Sequence, residues 1–244
     1  MRMLAFASRV RKEVLRDPLT LLLSLGLPIA LLVLMTIIQN NVPVPIFVME
    51  RLAPAIAVFS LTFISLFGGM LISRDRSTSL LMRLFASPLR PWEYILGYSL
   101  PLLPIGLAQS AICFLAAICL GYRFSPNLLI ALLVLLPVAA LFVAFGVLLG
   151  TLLPDKAVGG ISSLLVNVAG LLGGMWFDLN LMGKGLRGFA YALPFAHAVD
   201  MTRAAAAGRF AEIPLHLWWV LGYTVVIFAI AIPIFRRQMK YGKY

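Results

Sequence analysis

The sequence is poor in charged residues and in cysteine. Only 12% of its 244 residues are Asp, Glu, Lys or Arg, while 62% are hydrophobic and the mean hydropathy is +1.01. A soluble domain carries about 25% charged residues, and a small globule cannot hide this much apolar surface from water. These shortages exclude a soluble enzyme, a disordered chain and a secreted disulfide scaffold, and they indicate a polytopic helical membrane protein.

Acidic residues are few, with 9 Asp and Glu against 20 Lys and Arg, and the net charge is +11. In a membrane protein, lysine and arginine gather in cytoplasmic loops and face anionic lipid headgroups, so this excess does not indicate nucleic-acid binding. The two cysteines, Cys113 and Cys119, are six residues apart in one apolar run. On a helix they point to roughly opposite faces, so they cannot pair with each other.

Six long apolar runs contain no charged residue. A helix needs about 20 apolar residues to cross the bilayer core, and the runs that meet this length are 19–38, 53–72, 95–120, 128–150, 157–177 and 217–235. The lack of intramembrane charge argues against a proton relay built on carboxylates. The unbroken runs also lack the alternation of a β-barrel. The sequence therefore predicts an all-α fold in which residues 1–244 form one transmembrane domain with six transmembrane helices.

The positions of the basic residues predict the orientation in the membrane. Fourteen of the 20 lysines and arginines lie in the N-terminal segment, in the loops after the second and fourth spans, and at the C-terminus, whereas six lie in the other loops. Basic residues accumulate on the cytoplasmic side. Both termini are therefore expected in the cytoplasm, in a multi-pass protein of the plasma (inner) membrane.

The N-terminal segment 1–18 has the pattern of an interfacial helix that lies on the membrane. Leu4, Val10, Val14 and Leu15 are predicted to form its apolar stripe. A simple topology anchor is the alternative interpretation. On the other side of the membrane, the predicted external segment 178–216 has an apolar centre, 188–199, that is too short to span. Short helices that lie on or re-enter the outer leaflet are expected there.

The cytoplasmic loop 73–94 is long for a simple connection. It contains a helical stretch at 78–86 followed by Ser87-Pro88 as a stop signal. Leu80, Leu81 and Leu84 form an apolar face that charged residues surround. This pattern predicts a short amphipathic helix across the cytoplasmic side, for which docking is the functional interpretation and a solvated loop is the alternative.

The fifth predicted span is rich in small residues. Gly170 and Gly174 form a Gly-x-x-x-Gly pattern, as Gly146 and Gly150 do in the fourth span, and such patterns allow helices to approach closely. Tight packing alone is one interpretation, and a subunit interface or transport path is the other. The candidate residues for the second interpretation are Gly159, Ser163, Asn167, Gly170, Gly174, Met175, Trp176 and Phe177, and the last three lie where they would close the path at its outer end.

Motifs for catalysis are missing. Gly183-Lys184 cannot belong to a phosphate-binding loop because Asp178 stands where such a loop needs its first glycine. The sequence has neither a His-Glu-x-x-His zinc motif nor a Gly-x-Ser-x-Gly nucleophile turn. His197 with Asp200, and Glu212 with His216, have the spacing for weak metal binding, but local hydrogen bonding is the simpler interpretation.

Together these features resemble the membrane subunit of a type-2 ABC exporter over essentially the whole chain. One similar motif is Arg74-Asp75-Arg76…Arg83-Leu84…Ser87-Pro88…Ile95-Leu96-Gly97, between the second and third spans. The other is Leu193-Pro194-Phe195…Ala198-Val199-Asp200…Arg203, before the last span. The sequence departs from many members at Ser77-Thr78, where they have Gly-Thr.

The resemblance implies a division of labour. A separate ATPase subunit would bind ATP and Mg, this chain would bind no cofactor, and two membrane subunits, either two copies or one copy with a homologous permease, would form the path through the lipid bilayer. It also implies a coupling helix in the loop 73–94. The residues assigned to coupling are Arg74, Asp75, Arg76, Thr78, Leu80, Leu81, Arg83, Leu84 and Pro88.

The expected substrate is a lipophilic drug, a peptide or a lipid, because aromatic residues are few at the predicted outer mouth. Export of a lipid-linked glycan by the same fold is an alternative. A secondary transporter would be expected to show intramembrane ionisable groups or inverted repeats. An intramembrane enzyme would need a catalytic constellation. Neither pattern is found in the sequence.

Overall fold

The computed structural model describes residues 2–42, 47–78 and 91–241, and within these ranges the chain is helical and contains no strand. The nine α-helices there are α1 (Arg2–Leu15), α2 (Pro18–Asn41), α3 (Met49–Ser77), α4 (Pro91–Cys119), α5 (Asn127–Leu152), α6 (Asp155–Leu172), α7 (Lys184–Ala192), α8 (Pro194–Ala206) and α9 (Ile213–Tyr241). Six of them, α2 to α6 and α9, are long and apolar enough to cross a membrane. The predicted all-α polytopic membrane fold is confirmed.

Helix α3 occupies the centre of the bundle. Of its most apolar stretch 78% is buried, against 17% for α2 and 28% for α6. It packs against α2, α4, α5, α6 and α8. Helices α2 and α6 therefore keep wide apolar surfaces that only lipid or another subunit can cover.

Helices α3 and α5 approach each other closely at two glycines of α5. A Cβ atom added to Gly150 would lie 2.5 Å from the carbonyl oxygen of Gly69, and one on Gly146 would lie 2.9 Å from that of Ser65. A side chain at either position would push the two backbones apart. The Gly-x-x-x-Gly pattern of the fourth span is thus used for packing within the chain.

The bundle has two distinct ends. At the first, Phe6 of α1 packs edge-on against Tyr94 and Tyr98 of α4, with ring centroids 5.7 and 4.9 Å apart. Tyr94 in turn contacts Phe235 near the end of α9, at 5.9 Å. This end carries α1 and the C-terminal part of α9, and we call it the terminal end. The other, which includes the starts of α3, α5 and α9, is the opposite end.

The structure divides the apolar stripe predicted for α1 into a buried and an exposed part. Val10 is fully buried and Val14 is partly buried, but Leu4 and Leu15 are 61% and 53% exposed. The buried face is centred on Phe6 and Val10 instead, because α1 packs against α4 and is not an isolated helix on a lipid surface. Leu4 and Leu15 form a second apolar edge that points away from the protein.

Helix α6 is shorter than the predicted span 157–177. It ends at Leu172, because Gly174 adopts a left-handed conformation with φ of 64° and the amide of Met175 bonds back to the carbonyl of Gly170. Glycine takes this conformation without steric cost. Gly170 and Gly174 therefore do not lie along one helix, and their spacing is not a helix-packing motif here.

Between α6 and α9 the chain forms short helices, as its length and composition predicted. Helix α7 is amphipathic and largely exposed, while α8 is buried along most of its length against α5, α9 and α3. Cys113 is buried and Cys119 is exposed, and both are free thiols, as predicted from their spacing.

Candidate functional site

The charged triplet Arg74-Asp75-Arg76 at the end of α3 begins the region assigned to coupling. Asp75 is only 4% exposed, although it is a carboxylate. Both its oxygens accept hydrogen bonds from the guanidinium of Arg9 in α1, each at 3.0 Å, and the hydroxyl of Tyr98 in α4 donates a third at 2.8 Å. Three separate helices thus meet at one carboxylate.

The electrostatics of this cluster favour a charged pair. Hydrogen bonding to Asp75 raises the pKa of Arg9, which burial by itself would lower. Arg9 also pairs with Glu13 one turn further along α1, at 2.7 Å. Burial raises the pKa of Glu13, and the nearby charge of Asp75 adds to this effect. The bidentate contact between the guanidinium of Arg9 and the carboxylate of Asp75 fixes the angle at which α1 crosses α3.

Arg76 points to the other side of α3. Its guanidinium donates to the carbonyl oxygens of Gly150, at 2.7 Å, and of Thr151, at the C-terminal end of α5. Ser73 donates to the carbonyl of Leu153 at 3.0 Å. The last carbonyls of a helix have no partner within the helix and carry partial negative charge, so a cation satisfies both needs.

The structure therefore divides the residues assigned to coupling. Asp75 and Arg76 hold helices together inside the chain, while Arg74 and Thr78 are exposed at the end of α3. Leu80, Leu81, Arg83, Leu84 and Pro88, with most of the predicted helix 78–86, lie outside the described residues. Sequence reasoning missed Arg9 and Tyr98 as partners of Asp75, since nothing in their spacing along the chain links them.

Three cavities follow one another along the side of α3 that faces α2 and α6. A groove of about 520 Å³ at the terminal end is lined by apolar and charged residues that include Phe67, Arg16 and Asp155. A groove of about 540 Å³ comes next, and a pocket of about 290 Å³ closes the series at the opposite end. Trp176 lines both the second and the third.

The middle groove lies between α2, α3 and α6 and has no charged lining residue. Its lining residues are Leu27, Leu31, Phe59, Phe63, Leu66, Ser163, Val166, Asn167, Leu171 and Trp176. Phe59 packs edge-on against Trp176 at 5.0 Å and against Phe63 at 5.5 Å. The wall is therefore mainly apolar and includes three aromatic rings, and its polar groups are the side chains of Ser163 and Asn167 and the indole N–H of Trp176.

The residues predicted to form a path or interface fall into two groups. Gly159, Ser163 and Asn167 lie along the open side of α6, and the amide of Asn167 donates to the carbonyl of Ser163 at 2.8 Å. An exposed amide in a membrane-spanning helix is costly in lipid, which favours water or protein as its neighbour. The first group is therefore placed for contact with something other than this chain.

The second group packs inside the chain or at its end. A Cβ atom on Gly170 would lie 2.9 Å from the indole nitrogen of Trp176, and one on Gly174 would lie 2.8 Å from Leu179. Met175 is 3% exposed, Trp176 is half-buried and Phe177 is 55% exposed. Trp176 and Phe177 line the pocket at the opposite end, where the prediction put a closure.

Arg203 holds the opposite end together. From α8 its guanidinium donates to the carbonyl of Arg51 at 3.1 Å and to that of Gly174 at 3.0 Å. Burial lowers the pKa of Arg203, with the charge of Asp200 acting against this effect. Arg51 pairs with Asp178 at 2.8 Å. One side chain thus ties α8 to the start of α3 and to the turn after α6.

Comparison with known proteins agrees with this geometry. A family model described as ABC-2 type transporter matches residues 2–206. The chain belongs to this family. No curated protein gives a significant match. As an ABC-2 protein, the chain is a membrane permease component of an ABC transporter. In this family ATP hydrolysis resides in a separate ATP-binding subunit.

Among the described residues, no group of three or more His, Cys, Asp or Glu side chains lies close enough to hold a metal ion. His197 and Asp200, spaced for weak metal binding in the sequence, each have other partners. The hydroxyl of Tyr191 donates to Asp200 at 2.7 Å, and His197 contacts His216. Burial raises the pKa of Tyr191 to about 12.

Proposed function

We propose that this chain is the permease subunit of an ATP-driven exporter and that its substrate moves along the three cavities beside α3. The observation that carries this proposal is the uncharged middle groove, which opens between α2 and α6 and has a cavity at each end. A second copy, or a homologous permease, would close the open side of this groove. Family membership sets aside the secondary-transporter alternative.

The proposed substrate is a lipophilic drug, a peptide or a lipid. Apolar surface binds apolar molecules by removing both from water, with a gain of about 25 cal/mol for each Å² buried. A lipid-linked glycan is the second candidate, but a sugar needs many hydrogen-bonding partners, and the middle groove offers few, from Ser163, Asn167 and the indole of Trp176. The groove therefore favours the lipophilic class.

The proposed orientation puts the terminal end in the cytoplasm of the plasma (inner) membrane, where the larger share of basic residues lies. Single cysteines replacing Arg74 and Arg187, in a background without Cys113 and Cys119, provide the test. A membrane-impermeant reagent added from outside should label position 187 and not position 74. Labelling of both from the same side would contradict six spans.

The proposed coupling uses the contact between Arg9 of α1 and Asp75 of α3. A separate ATPase subunit, which would bind ATP and Mg, would contact the loop after Thr78. The contact of Arg9 with Asp75 would carry the movement of that loop into α1 and α3 together. Leu84→Asp should therefore remove transport and co-purification of the ATPase while the protein remains inserted, and Leu84→Met should keep both.

The path is tested by filling the middle groove. Ser163→Trp would fill it, whereas Leu133→Trp places the same side chain on α5 at a position that is 71% exposed. With the ATPase subunit in proteoliposomes, the first variant should lose ATP-dependent movement of a lipophilic dye at least about tenfold, which corresponds to about 1.4 kcal/mol. The second should transport like the parent. Equal transport by both variants would exclude this groove as the path.

A further inference from the structure

The chain contains only two histidines, His197 and His216. They are 19 residues apart in sequence, on α8 and near the start of α9, yet their Nδ1 atoms are 2.8 Å apart. The short segment before α9 thus brings both imidazoles of the protein into one contact. This contact lies at the opposite end of the bundle, beside the transport path but not part of its lining.

The protons of this contact follow from its neighbours. The Nε2 atom of His197 is 3.0 Å from the carbonyl oxygen of Tyr191, which can only accept a hydrogen bond. Nε2 of His197 therefore carries a proton. In the neutral ring of His197, Nδ1 then carries a lone pair, so Nδ1 accepts a hydrogen bond from the N–H at Nδ1 of His216.

This arrangement accommodates one additional proton but not two. A first proton binds the outward Nε2 of His216, and the bond between the rings becomes a charge-assisted one. A second proton has to enter at Nδ1 of His197. Two N–H groups would then face each other at 2.8 Å, and the bond between α8 and α9 would be lost. Because the rings share one hydrogen bond, proton binding at either ring depends on the state of the other.

The surroundings of the pair support the uptake of a single charge. His197 is 5% exposed and stacks in parallel on Trp219, with centroids 4.9 Å apart and planes 6° apart. Burial in this position disfavours a charge on His197, which is the ring that would have to take the second proton. His216 lines a pocket of about 390 Å³, whose other charged or titratable residues are Glu50, Arg51, Tyr191, Asp200, Arg203, Arg209 and Glu212.

We propose that His197 and His216 form a proton-binding site that holds α8 against α9 in its neutral and singly protonated states and releases this contact when a second proton binds. The proposal is independent of the exporter function. If the orientation proposed above holds, the site faces the outside, and acid there would loosen the hairpin of α7 and α8.

The burial of His197 gives the direction of the effect. Burial lowers its pKa, and the neighbouring His216 lowers it further. A histidine whose pKa is lower in the folded than in the unfolded state stabilises the fold above its ordinary pKa, about 6.5, and this contribution is lost as the pH falls toward the folded value. The contact between α8 and α9 should therefore weaken on the acid side.

The experiment is an NMR titration of the full-length protein in lipid nanodiscs with ¹³C-labelled histidine. Because there are two histidines, there are two ring signals. We expect two titration steps separated by at least about one pH unit, as for strongly interacting groups. In His216→Ala the remaining signal should titrate once, above the lower step of the parent. Glu212→Gln, which changes the charge of the same pocket, should keep two steps.

Hydrogen exchange on the same samples tests the mechanical part. Amides at the start of α8 should exchange faster below the lower step than between the two steps. If the two histidine signals of the parent protein titrate independently and at the same pH, the two rings do not share a proton. This outcome depends on neither a variant nor a transport assay. Two separate steps without faster exchange of α8 would overturn the release.

Discussion

The two ends of the bundle are held together by different chemistry. At the terminal end, three helices converge on the buried carboxylate of Asp75, and Arg9 supplies the opposite charge. At the opposite end, Arg203 donates to backbone carbonyls, and two histidines share a contact. The first end is fixed by a charged pair with a buried carboxylate, whereas the second combines a more exposed pair, Arg51 with Asp178, with bonds to backbone carbonyls and a contact between two histidine rings. This difference favours a rigid terminal end and an opposite end that is easier to open.

The largest expected effect is on the terminal end. Asp75→Ala leaves the buried hydroxyl of Tyr98 without its acceptor and leaves Arg9 to pair with Glu13, and bonds to charged groups contribute about 1.5–3 kcal/mol. We expect a loss of about 2 kcal/mol in unfolding free energy. The matched change, Asp178→Ala, removes a more exposed pair with Arg51 and should cost less than about 1 kcal/mol. Denaturant unfolding in detergent measures both, and equal losses would remove the contrast between the ends.

The second-largest loss of stability is expected where α3 and α5 pack together between the two ends. Gly150→Ala forces a Cβ atom to 2.5 Å from the carbonyl oxygen of Gly69, so α3 and α5 must separate. Overpacking of this kind costs about 1–3 kcal/mol. Gly160→Ala adds the same atom where nothing lies within 4 Å and should be neutral. Thermal unfolding of the two variants compares the sites, and a neutral Gly150→Ala would contradict the close contact.

A third and smaller effect is expected at the opposite end. Arg203→Met keeps the length of the side chain but removes its bonds to the carbonyls of Arg51 and Gly174. Ordinary hydrogen bonds contribute about 0.5–1.5 kcal/mol each. Hydrogen exchange should therefore increase in the turn after α6 and at the start of α3, with no change at Asp75. Faster exchange at the terminal end would mean that the two ends are not independent.

The smallest effect is a difference in pH dependence. Burial raises the pKa of Glu13 at the terminal end, whereas the amide of Asn180 and then Arg51 lower that of Asp178 at the opposite end. The contribution of protonated Glu13 is present below the ordinary pKa near 4.5 and is lost as the pH rises through the folded value. That of ionised Asp178 is present above about 3.8 and is lost as the pH falls.

Glu13→Gln should accordingly be neutral or slightly stabilising at pH 7, and Asp178→Asn slightly destabilising. Melting temperatures of both variants at pH 3 and pH 7 give the sign. The two variants should converge on the parent as the pH falls, and a destabilising Glu13→Gln at pH 7 would reverse the assignment for α1.

Much of the fold was predictable because membrane-spanning helices are apolar over a length that the bilayer sets. The runs around 53–72 and 128–150 required no knowledge of their neighbours, and the helices α3 and α5 contain them. The face of α1 was not predictable, since packing of Phe6 on α4 decides it and Leu4 is equally apolar. The end of α6 was misplaced because Met175, Trp176 and Phe177 continue the hydropathy after Gly174 has turned the chain.

The candidate site divides in the same way. Ser163 and Asn167 were identified from the sequence, because polar residues are rare within a span. Asp75 was identified as a charged residue after the second span, but its partners Arg9 and Tyr98 are 66 and 23 residues away. Contacts over such separations leave no local pattern. The contact between His197 and His216 leaves no local pattern either. The spacing in the sequence suggested Asp200 as the partner of His197 and Glu212 as the partner of His216.

The class of protein, the number of spans and the family could be inferred without a structure, because hydropathy, span length and local motifs are properties of neighbouring residues. Which charges are buried, where Gly146 and Gly150 pack, and how the cavities beside α3 line up became clear only from the folded chain. These features depend on which helices meet. Packing in three dimensions, through side-chain shape and the need of each buried polar group for a partner, is the physical reason that only the folded chain reveals them.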